Sequence, residues 1–354
     1  METLPPEPQQ DAEVLRLIGQ NKRLTTDRDY WKRLALSRAT SDEEMQEFLG
    51  FIEAQIEPQL PVPRPRARKV GRVPVENLAI ITDIHDGEIV RADSTNGLAV
   101  YSPSIAEERV GQATDEIIEY GLSEKSKKLV LGLLGDNISG MIHDDLERSN
   151  AEMTVAQTLH MGDVLTESIQ RFAAAFPEVE VDGRSGNHGR TYRPMFFNRK
   201  QEENWDNVLY RILEYRLANQ KNVRFLTNKS FWNIIDVGNR KFLHMHGDTI
   251  KHANSMSLPW YSMFKELLKW MAMRETGGVP WFDDMNIGHY HQNVTIQMGR
   301  SALRGTLSVK GEDDYSYAGS RIPAPPGARV LSVAEGRVLH DHVIDLTPSK
   351  PMSD

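Results

Sequence analysis

The feature that most constrains the fold is an alternation of short apolar runs and helical segments, which begins near residue 75. The apolar runs have the length and composition of buried strands, and they lie at residues 78–81, 129–134, 179–181, 231–237, 242–244 and around 287. Apolar positions at helical spacing predict helices through residues 106–120 and over 154–175, 205–218 and 257–273. Residues 330–339 resemble a hairpin that turns at Glu335 and Gly336. The pattern predicts an α/β protein.

The composition limits both the chemistry and the surroundings of the chain. Its 354 residues include 42 basic and 50 acidic side chains, a net charge of −8, and no cysteine. Disulfides, thiolate metal sites and cysteine nucleophiles are therefore excluded, and any metal must be bound through nitrogen and oxygen. The apolar runs are far shorter than the roughly 18 residues of a membrane span, and the N-terminus lacks the basic and apolar regions of a secretory signal. We therefore expect a cytoplasmic protein with no membrane partner.

The sequence divides into four predicted segments: a helical arm at 1–57, a Pro/Arg-rich linker at 58–75, a main domain at 76–347 and a tail at 348–354. In the arm, Ser41 stands three residues before Glu44, as in a capping box, and an apolar stripe follows. Further upstream, apolar residues at seven-residue spacing form a short heptad pattern. We predict a helical hairpin in the arm, with a coiled-coil homodimer as the alternative.

The linker alternates proline with basic residues, and residues 58–69 have the sequence Pro-Gln-Leu-Pro-Val-Pro-Arg-Pro-Arg-Ala-Arg-Lys. Alternating proline favours extended polyproline geometry. Clustered arginine suits contact with nucleic-acid phosphate. A solvated spacer is the alternative, because runs of charge are usually just solvated.

Polar residues with metal-ligand chemistry follow five of the predicted strands. They are Asp83-Ile84-His85, Gly135-Asp136, Gly186-Asn187-His188, His246-Gly247 and Gly288-His289-Tyr290-His291. Each group alone is weak evidence, because a single Asp, Asn or His at a strand end is more often a turn, cap or packing residue. In α/β proteins, however, ligands bind at the carboxyl ends of strands, and here five such groups occur in order. The series therefore predicts a metal site.

This ordered series resembles the motifs of the calcineurin-like metallophosphoesterase superfamily over about residues 76–295, and the compact core is similar to phage-encoded, nuclease-like members. The resemblance implies a two-layer β-sandwich flanked by helices, with two metal ions above the sheet edge. It also implies the ligands: Asp83, His85 and His291 for one ion, Asn187, His246 and His289 for the other, and Asp136 as the bridge.

These ligands supply imidazole, carboxylate and amide oxygen, a set suited to manganese, iron or zinc rather than to calcium. We predict two divalent metal ions, with Mn²⁺ as the first choice and Fe, Zn or Mg as alternatives. Two such ions about 3.5–4 Å apart would activate a hydroxide and stabilise phosphoryl charge. The predicted catalytic residues are Asp136 and His188, with His188 protonating the leaving oxygen or stabilising the phosphoryl group.

Two positions depart from the family pattern. Many relatives carry Asp or Glu directly after the Asn-His pair, where this chain has Gly189, so the expected carboxylate partner of His188 is missing. Ser139 stands where many relatives place a further acid.

Residues near the motifs are candidates for substrate contact. Arg184 and Arg190 flank the Asn187 loop and could bind phosphate in a bidentate manner, with simple solvation as the alternative. Tyr290 is the predicted aromatic contact. His244 lies two residues before His246 on the same strand face, where it would support a ligand or only pack.

Three functional hypotheses follow. The first is a two-metal phosphodiesterase or nuclease acting on nucleic acid, which the arm and the linker would help to bind. The second is hydrolysis of a small phosphoester or nucleotide. The third is a non-catalytic scaffold, which the complete ligand set disfavours, since such clusters of titratable residues usually mark working sites.

Overall fold

The computed structural model describes residues 56–65, 73–142, 149–191, 200–226, 228–250, 259–318 and 322–348, with Gly50 and Leu146 as isolated positions. The predicted arm and tail lie almost wholly outside these residues. Their organisation, including a homodimer through the arm, stays a prediction. No helix in the described part of the chain combines the length and the apolar composition that a membrane span requires.

The described residues form eleven strands in two mixed sheets. The strands are β1 (Glu76–Ile81), β2 (Lys128–Leu133), β3 (Glu178–Gly183), β4 (Val223–Phe225), β5 (Trp232–Val237), β6 (Arg240–Met245), β7 (Asp284–Ile287), β8 (Val294–Met298), β9 (Ser301–Gly305), β10 (Gly327–Ala334) and β11 (Arg337–Asp345). The first sheet has the order β11-β10-β1-β2-β3-β4, and the second has the order β5-β6-β7-β9-β8.

Five helices lie in the described part of the chain: α1 (Pro103–Ser123), α2 (Thr154–Ala175), α3 (Trp205–Arg216), α4 (Pro259–Glu275) and α5 (Asp314–Ala318). α1 begins where the side chain of Ser102 accepts a hydrogen bond from the backbone N–H of Ile105, with Pro103 in the first turn. α3 begins after Asn204, whose side chain accepts a hydrogen bond from the N–H of Asp206.

Strand β1 shows how the sequence produces the layers. Successive strand residues face opposite sides, and Leu78 and Ile80 therefore enter the core between the sheets, where they join Phe242 of β6. Ala79 and Ile81 face the other way, into the core that α1, α2 and α3 cover. On the second sheet, α4 covers the outer face. The predicted α/β class and the two-layer sandwich flanked by helices are confirmed.

The C-terminal hairpin is also confirmed. β10 and β11 pair antiparallel on either side of Glu335 and Gly336, which have φ values of 51° and 72°. The hairpin of β8 and β9 is missing from the sequence-based prediction. β8 is an edge strand whose residues alternate between half-buried and exposed, and such a strand carries a weak apolar signal.

The described part of the linker is bound to the main domain. The backbone N–H of Gln59 donates to the carbonyl of Arg216 at the end of α3 (2.7 Å), and the N–H of Val62 donates to the side chain of Gln220 (2.8 Å). Because β1 to β4 run parallel, this contact lies at the amino-terminal edge of those strands. The segment 59–64 is therefore neither free nor close to the strand ends that carry the polar motifs.

Candidate metal centre

The seven proposed ligands follow strands whose carboxyl ends meet at one edge of the sandwich. β1, β2 and β3 run parallel in the first sheet, and β6 and β7 run parallel in the second. The ligands are Asp83 and His85 after β1, Asp136 after β2, Asn187 after β3, His246 after β6, and His289 and His291 after β7. The structure thus brings together residues that are about 200 positions apart in sequence, such as His85 and His291 (206 positions).

Five of these residues have left-handed backbone geometry. The φ values are 54° for Asp83, 54° for His85, 51° for Asp136, 64° for His289 and 55° for His291. Residues other than glycine rarely adopt this region, and each instance costs about 1–3 kcal/mol. Strain of this kind persists only where the surrounding structure imposes it, and its concentration at one edge indicates a functional site.

The first ligand group contains Asp83, His85 and His291, all buried. Nε2 of His291 lies 3.2 Å from Oδ1 of Asp83 and 3.3 Å from Nε2 of His85. The carboxylate of Asp83 is held from behind by the backbone N–H of His289, at 2.9 and 3.1 Å, and by the hydroxyl of Thr82, at 2.7 Å. These contacts aim one carboxylate oxygen and two imidazole nitrogens at a common point.

The second group contains Asp136, Asn187, His246 and His289. Nε2 of His246 lies 3.0 Å from Oδ2 of Asp136 and 3.2 Å from Oδ1 of Asn187. Nδ1 of His246 lies 2.7 Å from the carbonyl of Leu134, which fixes the orientation of the ring. One ligand atom from each of Asp136, His246 and His289 lies within 4.8 Å of the others.

The ligand atoms of the second group repel one another when the His246 ring is neutral, but they can all bind one divalent cation. Because Nδ1 of His246 faces a carbonyl, this nitrogen carries the proton of a neutral ring, and Nε2 presents a lone pair. That lone pair faces a carboxylate oxygen of Asp136 and an amide oxygen of Asn187. A cation between these atoms would turn the repulsion into coordination. The residues therefore fit a metal ion bound through nitrogen and oxygen.

In the metal-free arrangement, protons compensate part of this charge. Burial lowers the pKa of His246, but the carboxylate of Asp136 outweighs it and raises the pKa to about 9. Burial opposes the ionisation of Asp136, yet the His246 and His188 imidazoles hold the pKa of that carboxyl well below its usual value. The pKa of His85 lies well below its usual value because of burial and of the nearby charges of His188 and Lys310. A neutral His85 and an ionised Asp136 are the forms that bind metal.

The loops that carry Asp136 and Asn187 approach each other very closely. A Cβ at Gly186 would overlap Oδ1 of Asp136, and a Cβ at Gly135 would overlap the backbone of Gly186. Gly135 also has a φ of 94°, which only glycine adopts readily. The glycines of both motifs are therefore needed for the spacing of the ligands.

Sequence reasoning missed Asp206, a buried carboxylate in the first turn of α3. It accepts hydrogen bonds from the backbone N–H groups of Asp136 (3.1 Å), Asn137 (3.1 Å) and Gly186 (2.9 Å). The local sequence around Asn204 indicates only the start of a helix. Asp136 lies 70 positions away, and no local pattern reveals that contact.

His188 lies against the first ligand group. Its ring stands edge-on to that of His85, with centroids 4.4 Å apart, and its backbone N–H donates to Oδ1 of Asp136 (2.8 Å). Nδ1 of His188 lies 2.8 Å from the carbonyl oxygen of Ser139. Since a carbonyl only accepts, Nδ1 is the donor in this contact. The carbonyl of Ser139 therefore helps to fix the orientation of the His188 ring.

Arg184 does not lie where a phosphate could reach it. Its side chain is fully buried and pairs with Asp182, with 3.1 Å between nitrogen and oxygen. It also donates to the side chain of Asn228 (2.7 Å) and to the carbonyl of Ser230 (2.8 Å). The guanidinium therefore supports the chain that leads into β5, and the phosphate contact that the sequence suggested would require this network to break.

The other two predicted substrate contacts differ from each other. The side chain of Tyr290 is 6% exposed, and its hydroxyl donates to the carbonyl of Ile250 (2.7 Å), which ties the two loops after β6 and β7 together. Arg190 is half-buried beside the Asn187 loop, and its backbone forms a bridge with Asn204. A phosphate contact through Arg190 stays a prediction.

Comparisons with known proteins yield distant similarities. No protein-family model matches the chain, and no curated protein matches it. A Streptococcus pneumoniae protein described as a predicted phosphoesterase shares 9% identity, with a TM-score of 0.34, over 77% of this chain and 90% of that one. An archaeal phosphodiesterase shares 11% identity, with a TM-score of 0.35, over 76% and 99%. Vps29 from Entamoeba histolytica, in complex with Zn²⁺, shares 12% identity, with a TM-score of 0.30, over 77% and 99%. TM-scores of this size carry no argument about activity, which has to come from the site.

Proposed function

We propose that this chain, which has the two-sheet fold and the ordered strand-end motifs of the calcineurin-like metallophosphoesterases, hydrolyses phosphoester bonds with two divalent metal ions. One observation carries the proposal: seven nitrogen and oxygen ligands from five strand ends converge on one edge of the sandwich. They are mostly buried, and several have strongly shifted pKa values, a combination that usually marks a working site. Such a set disfavours the alternative of a non-catalytic scaffold.

The residues divide the work as follows. Asp83, His85 and His291 would hold one ion, Asn187, His246 and His289 the other, and Asp136 would contact both. Bound divalent ions supply neutralisation of the phosphoryl oxygens and a lowered pKa of water. The N–H of His188 holds one oxygen of Asp136 in place.

His188 is the proposed acid for the leaving group. With Nδ1 held by the carbonyl of Ser139, Nε2 is the nitrogen through which the ring can donate a proton to a departing alkoxide or stabilise a phosphoryl oxygen. A carbonyl fixes the ring but places no negative charge beside it. We therefore expect His188 to contribute less to protonation of the leaving group than in relatives that have a carboxylate partner.

We propose Mn²⁺ as the resident ion, with Fe, Zn or Mg as alternatives. The ligand set combines four imidazoles with carboxylate and amide oxygen, and such mixed donors suit manganese, iron and zinc better than calcium. The test is to restore metal-free protein with each ion in turn and to compare turnover. We expect the highest turnover with Mn²⁺, and a strict requirement for another ion would overturn this choice.

Within this function, we propose a nucleic-acid phosphodiester as the substrate. The support is the clustered arginine of the linker, which suits phosphate contact. His188 adds to it, because the alkoxide leaving groups of nucleic acids need a proton. Cleavage would take place in the cytoplasm.

A small phosphoester is the second candidate, and the position of the linker favours it. The guanidinium of Arg64 donates to the carbonyl of Lys221 (3.0 Å), just before β4. This places Arg64 at the strand edge opposite the ligands. This arginine is therefore poorly placed to hold a polyanion whose scissile phosphate lies at the metal centre.

One experiment separates these proposals. Wild type, Asp136→Ala and Asp115→Ala are incubated with Mn²⁺ and with end-labelled single- and double-stranded DNA, RNA or bis(p-nitrophenyl) phosphate. Asp115 is a matched control, because it is an exposed carboxylate on α1. We expect equal cleavage by wild type and Asp115→Ala and almost none by Asp136→Ala.

The metal assignment and the choice of substrate would be contradicted by different results. Full activity of Asp136→Ala would refute the metal assignment. Hydrolysis of the small diester without cleavage of DNA or RNA would leave the phosphoesterase in place and move the substrate to the small-molecule class.

A further inference from the structure

We propose that Asp206 is a positioning residue that sets the spacing of the Asp136 loop and the Asn187 loop, and with it the affinity of the second metal position. The inference rests on the proposed two-metal function. Asp206 lies outside the strand-end motifs, and it would act through the backbone of the ligand loops without contacting an ion.

The two carboxylate oxygens of Asp206 have different partners. Oδ2 accepts from the N–H of Asp136 (3.1 Å) and from the N–H of Gly186 (2.9 Å), so a single atom joins both ligand loops. Oδ1 accepts from the backbone N–H (3.1 Å) and the side-chain amide (2.8 Å) of Asn137. Four N–H donors converge on one carboxylate, an arrangement that fixes its orientation and theirs.

The start of α3 holds Asp206 in place. Asp206 lies in the first turn of α3 and is fully buried. Its neighbour Asn204 caps the helix with one side-chain atom and donates with the other to the carbonyl of Gly186 (2.8 Å). The Asn187 loop is thus bound to the start of α3 from both its N–H and its carbonyl side.

This network touches the two ligand groups unequally. The second group takes Asp136 and Asn187 from the two loops that Asp206 joins. The first group takes its own three ligands from the loops after β1 and β7 and shares only the bridging Asp136, while the carboxylate of Asp83 is held by Thr82 and His289. Loosening Asp206 would therefore weaken the second metal position and leave most of the first intact.

The experiment measures metal binding and not activity. Mn²⁺ is titrated by calorimetry into metal-free wild type, Asp206→Asn and Asp284→Asn, and the coupling between two bound ions is read by electron paramagnetic resonance. Asp284 is the matched control, since it is a fully buried carboxylate at the start of β7, paired with Arg240 and Arg304 at the opposite end of the strand from the ligands.

In wild type and in Asp284→Asn we expect two Mn²⁺ ions per chain and a spin-coupled spectrum. In Asp206→Asn an amide N–H₂ would face backbone N–H donors, and we expect one ion of nearly unchanged affinity, a second weakened by about 10–100-fold, and loss of the coupled spectrum. Equal weakening of both ions, or no change, would overturn the positioning role while leaving the two-metal function in place. Failure of wild type to bind two ions would instead overturn the function itself.

A second variant covers the case in which Asp206→Asn does not fold. Asn204→Ala removes the hydrogen bond to the carbonyl of Gly186 but keeps the carboxylate of Asp206. We expect a smaller loss of affinity that is again confined to the second ion. Unchanged binding of both ions in a folded Asn204→Ala protein would contradict the claim that the start of α3 positions the ligand loops.

Discussion

Two of the buried polar clusters among the described residues of this sandwich differ in what their atoms face. At the carboxyl edge, the ligand cluster brings metal-binding atoms together, and the 3.0 Å approach of Nε2 of His246 to Oδ2 of Asp136 is favourable without a metal only when the ring is protonated. Between the sheets, the structural cluster pairs opposite groups. In it, Asp182 contacts Arg184 at 3.1 Å and Nδ1 of His244 at 2.9 Å, and it accepts from Asn233 at 2.8 Å.

This difference distinguishes a structural polar cluster from a functional one. Burying a polar group costs free energy unless a partner of opposite character compensates it. The structural cluster provides such partners within the protein, and His244 belongs to it, with Nδ1 2.9 Å from Asp182 and Nε2 3.2 Å from the side-chain amide of Asn286. Support of a ligand by His244 stays a prediction. The ligand cluster depends instead on a proton on His246, which a divalent cation would replace, and it also carries left-handed backbone, a feature that clusters at functional sites.

The largest effect on stability should come from the structural cluster. In Asp182→Ala the guanidinium of Arg184 would be left buried without its carboxylate, and we expect the free energy of unfolding to fall by about 3–5 kcal/mol. Urea unfolding measures this, with Asp115→Ala as the exposed control. A loss below about 1 kcal/mol, the value typical of surface pairs, would remove the contrast between the clusters.

The ligand cluster should instead show its largest effect in catalysis. For His188→Ala we expect a loss of about 10²–10⁴-fold with alkyl phosphodiesters, whose leaving groups need a proton, and a much smaller loss with nitrophenyl esters. Steady-state rates with both substrate types measure this, and His340→Ala, an exposed histidine on β11, is the control. An equal loss on both substrates would mean that His188 acts on the phosphoryl group.

Metal should stabilise one cluster and not the other. At a Mn²⁺ concentration 100 times both dissociation constants, we expect each of the two bound ions to raise the free energy of unfolding of wild type by about 2.7 kcal/mol. Asp182→Asn should be less stable than wild type without Mn²⁺ but should show the same increment, whereas Asp136→Ala should lose most of the increment. Thermal unfolding with and without Mn²⁺ measures the increment, and an equal gain in Asp136→Ala would contradict the ligand assignment.

The smallest effect concerns an ion pair beside the ligand edge. Nδ1 of His160 on α2 lies 2.9 Å from a carboxylate oxygen of Asp86, and this hydrogen bond raises the pKa of His160 from 6.5 to about 9. A group whose pKa is higher in the folded than in the unfolded protein stabilises the fold. This stability is fully present at pH values below the pKa of the unfolded state, and it is lost as the pH rises through the pKa of the folded state. We therefore expect stability to fall as the pH rises from 6.5 through about 9.

The measurement is thermal unfolding of metal-free protein across this pH range, compared with His160→Gln. The variant should lack the part of the slope that His160 supplies. Identical slopes in the two proteins would show that the pair contributes nothing.

Much of the fold and the centre of the site can be predicted from short stretches of sequence. Strand and helix periodicity depends on neighbouring residues, and α2 spans the predicted residues 154–175 without change. The five ligand motifs are equally local, because each is a strand followed directly by polar residues. Within each sheet their convergence follows from one rule, that the carboxyl ends of parallel strands share an edge, whereas the meeting of the two sheets at that edge depends on their packing.

Other features depend on atoms that meet only after folding. Arg184 has the sequence context of a phosphate ligand, yet Asp182 and the chain before β5 bind it, and only the packed structure shows them. Ser139 contributes its backbone carbonyl to His188, a group that every residue carries and no sequence pattern can single out.

The sequence alone therefore determines the α/β layers and the metal-ligand chemistry, because both depend on local periodicity and residue type. Tertiary structure alone decides what supports that chemistry: the carboxylate of Asp206 under two loops, the carbonyl partner of His188, and the linker bound at the opposite edge. The physical reason is that these contacts are hydrogen bonds between groups far apart in sequence, often through backbone atoms that are common to all residues.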